Sequence, residues 1–179
     1  MKFIILDLEA TCWEQQNKAR SEVIEIGAVG IHENGEILSE FSSFIRPLLN
    51  PTLSDFCKKL THISQDRIDK SPDFPQVVDL FLKWLDNFHD DYCLCSWGFY
   101  DQKQLIQDCQ LHQLDTAWLN RHISLKHQYA KLKDLKEPVG MKTALGLEKM
   151  TLFGTHHRGI DDARNISQIF LKYLGKWTW

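Results

Sequence analysis

The chain has 179 residues, of which 43% are hydrophobic and 25% charged, and its net charge is −3. This length and composition suit one compact domain over residues 1–179 with its own core, and they exclude a disordered polyelectrolyte. The mild acidity argues against tight, nonspecific duplex binding through a broad cationic face, but it is compatible with an enzyme whose acidic cleft binds cations.

Five cysteines are scattered along the chain, and none of them forms a CxxC pair. This pattern argues against a disulfide framework and against a structural zinc site, and it favours reduced thiols. The N-terminal apolar run stops at Asp7, far short of a signal-peptide core, and no later run is long enough to span a bilayer. We therefore expect a cytoplasmic protein without a membrane segment.

The N-terminal part of the chain predicts an antiparallel meander of three strands. Apolar, β-rich runs cover residues 2–8, 23–31 and 37–45. Asn34 and Gly35 lie between the last two runs, and Asn-Gly is a strong signal for a hairpin turn.

Beyond the meander, helical patterns alternate with short strands. The predicted helices cover residues 53–60, 64–69, 77–88, 100–114, 127–135, 141–149 and 161–174, and the predicted strands cover 92–97 and 123–125. Ser64 is the expected N-cap of the second helix. Three strands followed by helices and shorter strands indicate an α/β domain with a mixed sheet flanked by helices.

Asp7 and Glu9 close the first predicted strand with one residue between them. Alternation along a strand sends both carboxylates to one face, at the carboxyl end where open α/β sheets bind ligands. Two like charges this close are unfavourable unless they are protonated or paired with cations. Considered alone, the pair is better explained as a solvated strand end.

Two further polar positions lie at helix starts. Asp101 follows the strand 92–97, and alone it is explained as a favourable acid in a first helical turn. His156, His157, Asp161 and Asp162 form a cluster around the start of the last helix. There the acids could be caps and the histidines a surface loop or zinc ligands, although no third zinc ligand lies at a telling spacing.

The sum of these positions suits one reaction. Acids at two strand ends and at the start of the last helix, with a histidine before that helix, fit phosphodiester hydrolysis with two divalent ions. Hard oxygen ligands select Mg²⁺ or Mn²⁺, and four carboxylates offset the charge of two such ions. A histidine that titrates near neutrality can take the proton from the attacking water.

Segments 6–12, 96–101 and 157–166 resemble the three motifs of the DEDDh, or DnaQ-like, exonucleases. The resemblance runs over residues 2–175 and is greatest to the branch with the enhancer-of-RNAi and histone-mRNA 3′ exonucleases and the bacterial KapD-like proteins. It implies a ribonuclease-H-like fold, two Mg²⁺ or Mn²⁺ ions, and release of nucleoside 5′-monophosphates from a 3′ end.

Position by position, the resemblance implies four metal ligands, Asp7, Glu9, Asp101 and Asp162. His157 completes the catalytic set as the general base, because the family's H-x₄-D spacing pairs it with Asp162. The same spacing joins His156 to Asp161, so a shift by one residue is the competing assignment. The run over residues 158–163 favours His157 with Asp162 and leaves Asp161 a helix-capping or orienting role.

The resemblance also implies where the terminal nucleotide lies. Leu8, Ala10 and Thr11 would lie along the sugar and base, with backbone groups contacting the 3′ end. Trp97 and Tyr100 could stack on bases, a contact worth about 1–3 kcal/mol per base, although core packing explains Trp97 equally well.

Residues 60–63, Leu-Thr-His-Ile, resemble the family's L-T-G-I wedge against the terminal base. The implied contacts are Thr61, His62 and Ile63. His62 replaces the usual glycine, so the terminal-base contacts and the substrate preference of this chain depart from the family pattern.

RNA is the favoured substrate, as a single-stranded or overhanging 3′ end, because of the branch resemblance. A DNA-trimming or proofreading exonuclease is the alternative within the same chemistry, and the 2′-OH separates the two. From other classes, the chain could be an inactive module that binds nucleic acid or a partner protein, or a metal phosphomonoesterase. The intact set of acids argues against the inactive module, and a protein partner could direct the chain to its substrate.

Overall fold

The computed structural model of the chain describes residues 1–15, 19–89 and 91–179. Its centre is a five-stranded mixed sheet with the order β3-β2-β1-β4-β5. The strands are β1 (Lys2–Ala10), β2 (Val23–His32), β3 (Ile37–Phe44), β4 (Tyr92–Ser96) and β5 (His122–Ser124). The first three strands are antiparallel neighbours, whereas β4 pairs parallel with β1 and β5 pairs parallel with β4. The predicted α/β class with a mixed sheet is confirmed.

The predicted hairpin turn joins β2 to β3. Gly35 has a φ of 92°, and its N–H donates to the carbonyl of His32 at 2.8 Å. The side chain of Asn34 accepts the N–H of Glu36 at 3.0 Å. Glycine adopts this left-handed conformation without a steric cost, so the Asn-Gly signal indicated the turn correctly.

Helices cover both faces of the sheet. In the described residues they are α1 (Asp55–Thr61), α2 (Gln65–Asp69), α3 (Phe74–Asp86), α4 (Tyr100–Leu111), α5 (Leu125–Leu132), α6 (Met141–Leu147) and α7 (Gly159–Lys172), with a 3₁₀ turn at Ala117–Leu119. Their bounds differ from the predicted ones by a few residues, and at α1, α2 and α3 a capping side chain fixes the start. A capping box between Asp73 and Gln76 starts α3, and the side chain of Ser64 accepts the N–H of Arg67 as predicted.

Strand β1 divides the core, because its alternate residues face opposite sides of the sheet. Ile4 belongs to the apolar cluster that α3 covers, and Ile5 belongs to the cluster that α7 covers. The same alternation puts Asp7 and Glu9 on the α7 side. All five cysteines carry free thiols, and none of the described helices is long and apolar enough to cross a membrane.

The start of α7 lies directly against the backbone of β2. A Cβ atom on Gly27 would lie 2.1 Å from the carbonyl carbon of Gly159 and from the nitrogen of Ile160. A Cβ atom on Gly159 would lie 3.0 Å from the nitrogen of Gly27 and 3.1 Å from the carbonyl oxygen of Asp7. The two glycines therefore permit a backbone contact that brings the first turn of α7 to the end of β1.

We expect Gly27→Ala to lower the free energy of unfolding by about 1–3 kcal/mol, because a methyl group forced into a packed contact displaces backbone. The same substitution at Gly146, within α6, meets no atom within 4 Å. It should raise the free energy of unfolding by about 0.5–1 kcal/mol, since alanine is the better helix former. Urea unfolding measures both, and equal effects of the two variants would contradict the close contact.

Candidate active site

Three elements bring four carboxylates together at the carboxyl end of β1. Asp7 and Glu9 come from β1, Asp101 from the first turn of α4, and Asp162 from the first turn of α7. One carboxylate oxygen from each of Asp7, Glu9 and Asp162 lies within 4.8 Å of the others. Asp101 joins them by accepting the backbone N–H of Leu8 at 3.2 Å. These four residues are called the acid cluster below.

The acid cluster is electrostatically unfavourable in the absence of cations. Burial, and then the charge of Asp162, raise the pKa of Glu9 to about 8. Burial raises the pKa of Asp101 to about 6, although a hydrogen bond from the Ser96 hydroxyl acts in the opposite direction. Burial and then the charge of Asp101 hold the pKa of Asp7 well above its ordinary value. Either protons or bound cations must therefore offset these charges.

The donor atoms of the acid cluster fit hard divalent cations. Carboxylate oxygens are the ligands that Mg²⁺ and Mn²⁺ prefer, and here they converge on one point. The ligand atoms of His156, His157 and Asp162 also lie within 4.8 Å of one another. Asp162 is thus a third candidate metal ligand beside the two histidines, which the sequence spacing did not indicate. Because Asp162 belongs to both groups, it joins the histidines to the acid cluster.

Both histidines contact the carboxylate of Asp162. Nδ1 of His156 lies 2.9 Å from Oδ2 of Asp162, and the backbone N–H of His157 donates to the same oxygen at 2.9 Å. The two rings stack with their centroids 4.0 Å apart. His157 has a left-handed φ of 64°, a conformation that histidine adopts more readily than most residues. The contact of His156 is thus with Asp162 rather than with Asp161.

The ring of His157 is half-buried and faces positive groups. Burial, and then repulsion by His156, lower its pKa, whereas the charge of Asp162 acts in the opposite direction. His62 and Lys142 add smaller repulsions. A lowered pKa keeps the imidazole neutral near pH 7, which is the form that accepts a proton.

Asp161 organises the loop that precedes α7. Its Oδ2 accepts the N–H of Thr155 at 2.9 Å, and its Oδ1 pairs with Arg164 at 3.3 Å. The N-cap position of α7 is occupied by Arg158, which makes no side-chain capping bond. The contacts therefore give Asp161 the orienting role rather than the capping role.

A buried ion pair beside the acid cluster was missed by the sequence analysis. Glu25 is fully buried opposite Glu9 in the β1–β2 register. It accepts hydrogen bonds from Arg158 at 3.0 and 3.2 Å and from the N–H of Gly159 at 3.1 Å. The pair ties the start of α7 to β2 and offsets a charge that raises the pKa of Glu9. The available signal was a single carboxylate in the apolar run 23–31.

The residues at the end of β1 that were predicted to lie along the nucleotide make contacts within the protein. Leu8 faces the core that α3 covers, and its N–H bonds to Asp101. Thr11 is buried, and its hydroxyl accepts the N–H of Glu22 at 2.9 Å. Ala10 is partly exposed. Of the three side chains, that of Ala10 is exposed enough to contact a ligand at the strand end.

The segment after α1 has a backbone that favours glycine at its centre. Thr61 and Ile63 are buried, and the Thr61 hydroxyl donates to the carbonyl of Cys57 at 2.8 Å. His62 is exposed and left-handed, with φ 58° and ψ 22°. Glycine adopts this conformation most easily, which explains its use at this place in the wedge. His62 keeps the conformation and adds an imidazole near His157.

The two aromatic candidates differ in their surroundings. The indole N–H of Trp97 donates to the carbonyl of Val139 at 3.0 Å, and its ring lies 5.6 Å from that of Tyr129. These contacts match the packing alternative. Tyr100 is the first residue of α4 and has an exposed ring, while partial burial of its hydroxyl and then the charge of Asp101 raise its pKa to about 12. Its hydroxyl remains a donor beside the acid cluster.

Comparison with known proteins agrees with this geometry. The family model for exonucleases of the RNase T type matches residues 4–170. The 3′-5′ exoribonuclease 1 of Rattus norvegicus is 33% identical over 182 residues, which cover 95% of this chain and 52% of that protein. The chain therefore spans about half the length of this curated relative.

Two solved structures share the fold over nearly the whole chain. The nuclease domain of 3′hExo, a DEDDh family member bound to rAMP, has a TM-score of 0.91 and 30% identity, covering 97% of this chain and 91% of that one. The second is a 3′-exonuclease, described for 3′-end specific recognition of the histone mRNA stem-loop. It has a TM-score of 0.91 and 28% identity, covering 97% of this chain and 81% of that one. The ribonuclease-H-like fold is thereby confirmed, and the chain belongs to the exonuclease family, in the DEDDh branch.

Proposed function

We propose that this chain is a metal-dependent 3′→5′ exonuclease that removes nucleoside 5′-monophosphates from the 3′ end of RNA. The observation that carries the proposal is the acid cluster, in which carboxylates from β1, α4 and α7 converge and Asp162 contacts both histidines. A surface on which acids are merely solvated would not raise their pKa values in this way. The unfavourable clustering of these charges supports a site that binds cations.

The four acids would hold two ions, Mg²⁺ or Mn²⁺, because four negative charges offset two divalent cations. Bound ions of this kind supply Lewis acidity toward phosphate oxygens and lower the pKa of water. The protein fixes the ligands in different ways. The Leu8 N–H and the Ser96 hydroxyl orient Asp101, whereas the His157 N–H orients Asp162.

His157 is the proposed general base. Its half-buried ring lies beside Asp162, and its lowered pKa keeps a nitrogen free to accept the proton of the attacking water. The left-handed turn at this residue directs its backbone N–H toward Asp162 while the ring stacks on His156. Because the ring is only half-buried, its protonated form can then return the proton to solvent.

RNA is the proposed substrate class. The relative with 30% identity was solved with rAMP, and another relative recognises the 3′ end of a histone mRNA stem-loop. Near the acid cluster, the exposed ring of Tyr100 and the left-handed His62 offer a stacking face and a polar edge to a terminal nucleotide.

Hydrolysis of a 5′-labelled single-stranded RNA in Mg²⁺ or Mn²⁺ tests the function. We expect a ladder that shortens from the 3′ end with nucleoside 5′-monophosphates as products, and slower shortening of the matched DNA. A chelator and the variant Asp7→Asn should each abolish the ladder, because each removes the cations or one of their ligands. No shortening of either strand would favour the inactive binding module, and release of phosphate from mononucleotides alone would favour a phosphomonoesterase.

Substitution of the neighbouring histidines tests the general base with a matched control. His157→Ala should lower kcat by about 10²–10⁴-fold, the usual contribution of a positioned acid or base, with the metal affinity retained. His156→Ala removes one contact to Asp162 and should lower kcat by less than about tenfold. Single-turnover rates at saturating metal measure both effects. A larger loss in His156→Ala than in His157→Ala would move the base to His156.

The raised pKa of Glu9 predicts the pH dependence of stability in the metal-free protein. A carboxyl group with a folded pKa of about 8 stabilises the fold in its protonated form. Its contribution is complete below the unfolded pKa of about 4.3 and is lost as the pH rises through the folded pKa.

We therefore expect the free energy of unfolding in chelator to fall between about pH 5 and pH 8, and to fall less in Glu9→Gln, whose amide needs no proton. Saturating Mg²⁺ should stabilise the wild type most at the alkaline end of this range. Urea unfolding at several pH values measures the slope. The same slope in both proteins would show that Glu9 titrates at its ordinary pKa.

A further inference from the structure

A polar groove lies at the β3 edge of the sheet, outside the acid cluster. Its cavity has a volume of about 630 Å³ and lies between the end of β3 and the segment of α2 with the residues that follow it. It is lined by Ser42, Ser43, Phe44, Asp66, Arg67, Lys70, Ser71 and Pro72. We call this cavity the β3–α2 groove.

The groove begins two strands away from the acid cluster. Glu9 pairs with Glu25 across β1 and β2, and Glu25 pairs with Phe44 across β2 and β3. Directly paired residues point to the same face of a sheet. Since neighbouring strands are about 4.8 Å apart, Phe44 lies on the face of Glu9 at roughly 10 Å from it.

Phe44 contacts two guanidinium groups. Cζ of Arg67 lies 5.1 Å from the ring centroid and Cζ of Arg158 lies 5.0 Å from it, both within cation–π range. Arg158 is paired with the buried Glu25. Arg67 has no carboxylate within 4.0 Å in the described part of the chain. The ring therefore orders Arg67 while the planar fork of donors stays available to a phosphate.

The other polar groups of the groove suit a sugar–phosphate chain. Lys70 pairs with Asp66 at 2.9 Å, but the two side chains are 73% and 77% exposed. An ion pair so open to water contributes little, so a phosphate can take its place. The hydroxyl of Ser71 donates to the carbonyl of Arg67 at 2.7 Å, and that of Ser43 donates to the carbonyl of Phe44 at 3.1 Å. Both hydroxyl oxygens keep lone pairs that can accept a ribose 2′-OH.

We propose that the β3–α2 groove binds the backbone of single-stranded RNA on the 5′ side of the nucleotide being removed, with Arg67 and Lys70 on its phosphates. This inference rests on the proposed exonuclease function, because it assumes a strand whose 3′ end lies at the acid cluster. The only phosphodiester of an RNA dinucleotide is the one being hydrolysed, so a dinucleotide without a 5′ phosphate leaves no phosphate for Arg67 and Lys70, whereas a longer strand supplies further phosphates. Substrate length is therefore a determinant of binding.

The test compares an RNA dinucleotide with a ten-nucleotide RNA in the wild type and in the double variant Arg67→Ala/Lys70→Ala. Loss of the two positively charged side chains should raise the ratio of KM for the longer RNA to KM for the dinucleotide about fivefold. The slope of log KM against log salt for the longer RNA should fall by about 0.7 for each lost phosphate contact. The matched control is Lys83→Ala, since Lys83 is an exposed lysine paired with Asp79 at 2.7 Å. This control should leave the ratio at its wild-type value.

The two proposals fail in different ways. Fluorescence anisotropy of the labelled ten-nucleotide RNA, measured in the Asp7→Asn background, reports binding without hydrolysis. If the wild type hydrolyses no RNA while the double substitution still weakens this binding, the exonuclease function is wrong, whereas binding of single-stranded RNA by the groove is retained. If hydrolysis is normal and the KM ratio of the double variant equals that of the wild type, the groove proposal is overturned. Tighter binding of a blunt RNA duplex than of the single strand would also overturn it.

Discussion

The backbone contact between α7 and β2 decides where the chemistry can take place. Gly27 and Gly159 leave no side chain between the helix start and the strand, so the first turn of α7 lies beside the end of β1. Asp162 thereby reaches the two carboxylates of β1. The hydrogen bonds that Glu25 accepts from Arg158 and from the N–H of Gly159 hold the same helix start. Any side chain at the glycine contact would move one acid away from the other three.

Burial and like charges disfavour the ionised acid cluster, and the protein offsets this effect more at Asp101 than at Glu9. Asp101 receives hydrogen bonds from the Leu8 N–H and from Ser96, which favour its charged form, and its pKa rises only to about 6. Glu9 has Asp162 and Glu25 as charged neighbours, and its pKa rises to about 8. At neutral pH the metal-free site therefore retains protons more readily at Glu9 than at Asp101, and the pKa of Asp7 is raised as well. Cation binding must displace them, so metal affinity and pH are linked through β1.

Local patterns predicted most of the fold and the acids, and contacts distant in sequence account for what they missed. Strand alternation placed Asp7 and Glu9 on one face, because a period of two residues is set by the backbone. Nothing local marks Glu25 as part of the site, since its partner Arg158 lies 133 residues away. The packing of Trp97 likewise depends on a carbonyl 42 residues away. The observed starts of α1 and α3 differ from the predicted ones by two to three residues because the capping side chains of Ser54 and Asp73, rather than apolar periodicity, fix them.

One row of paired residues joins the proposed site of hydrolysis to the proposed strand-binding groove. The row runs from the acid cluster at Glu9, through the Glu25 carboxylate that Arg158 balances, to the guanidinium of Arg67 on the ring of Phe44. Arg158 contacts both Glu25 and Phe44. The ion pair beside the acid cluster therefore also orders Phe44 in the groove. A polyanion lying along this row is repelled by the charged members of the acid cluster unless cations are bound there, whereas its other phosphates are attracted at the far end. The charge pattern of the row therefore makes binding of a 3′ end at the acid cluster depend on bound metal ions. Binding of the rest of the strand in the groove does not depend on them.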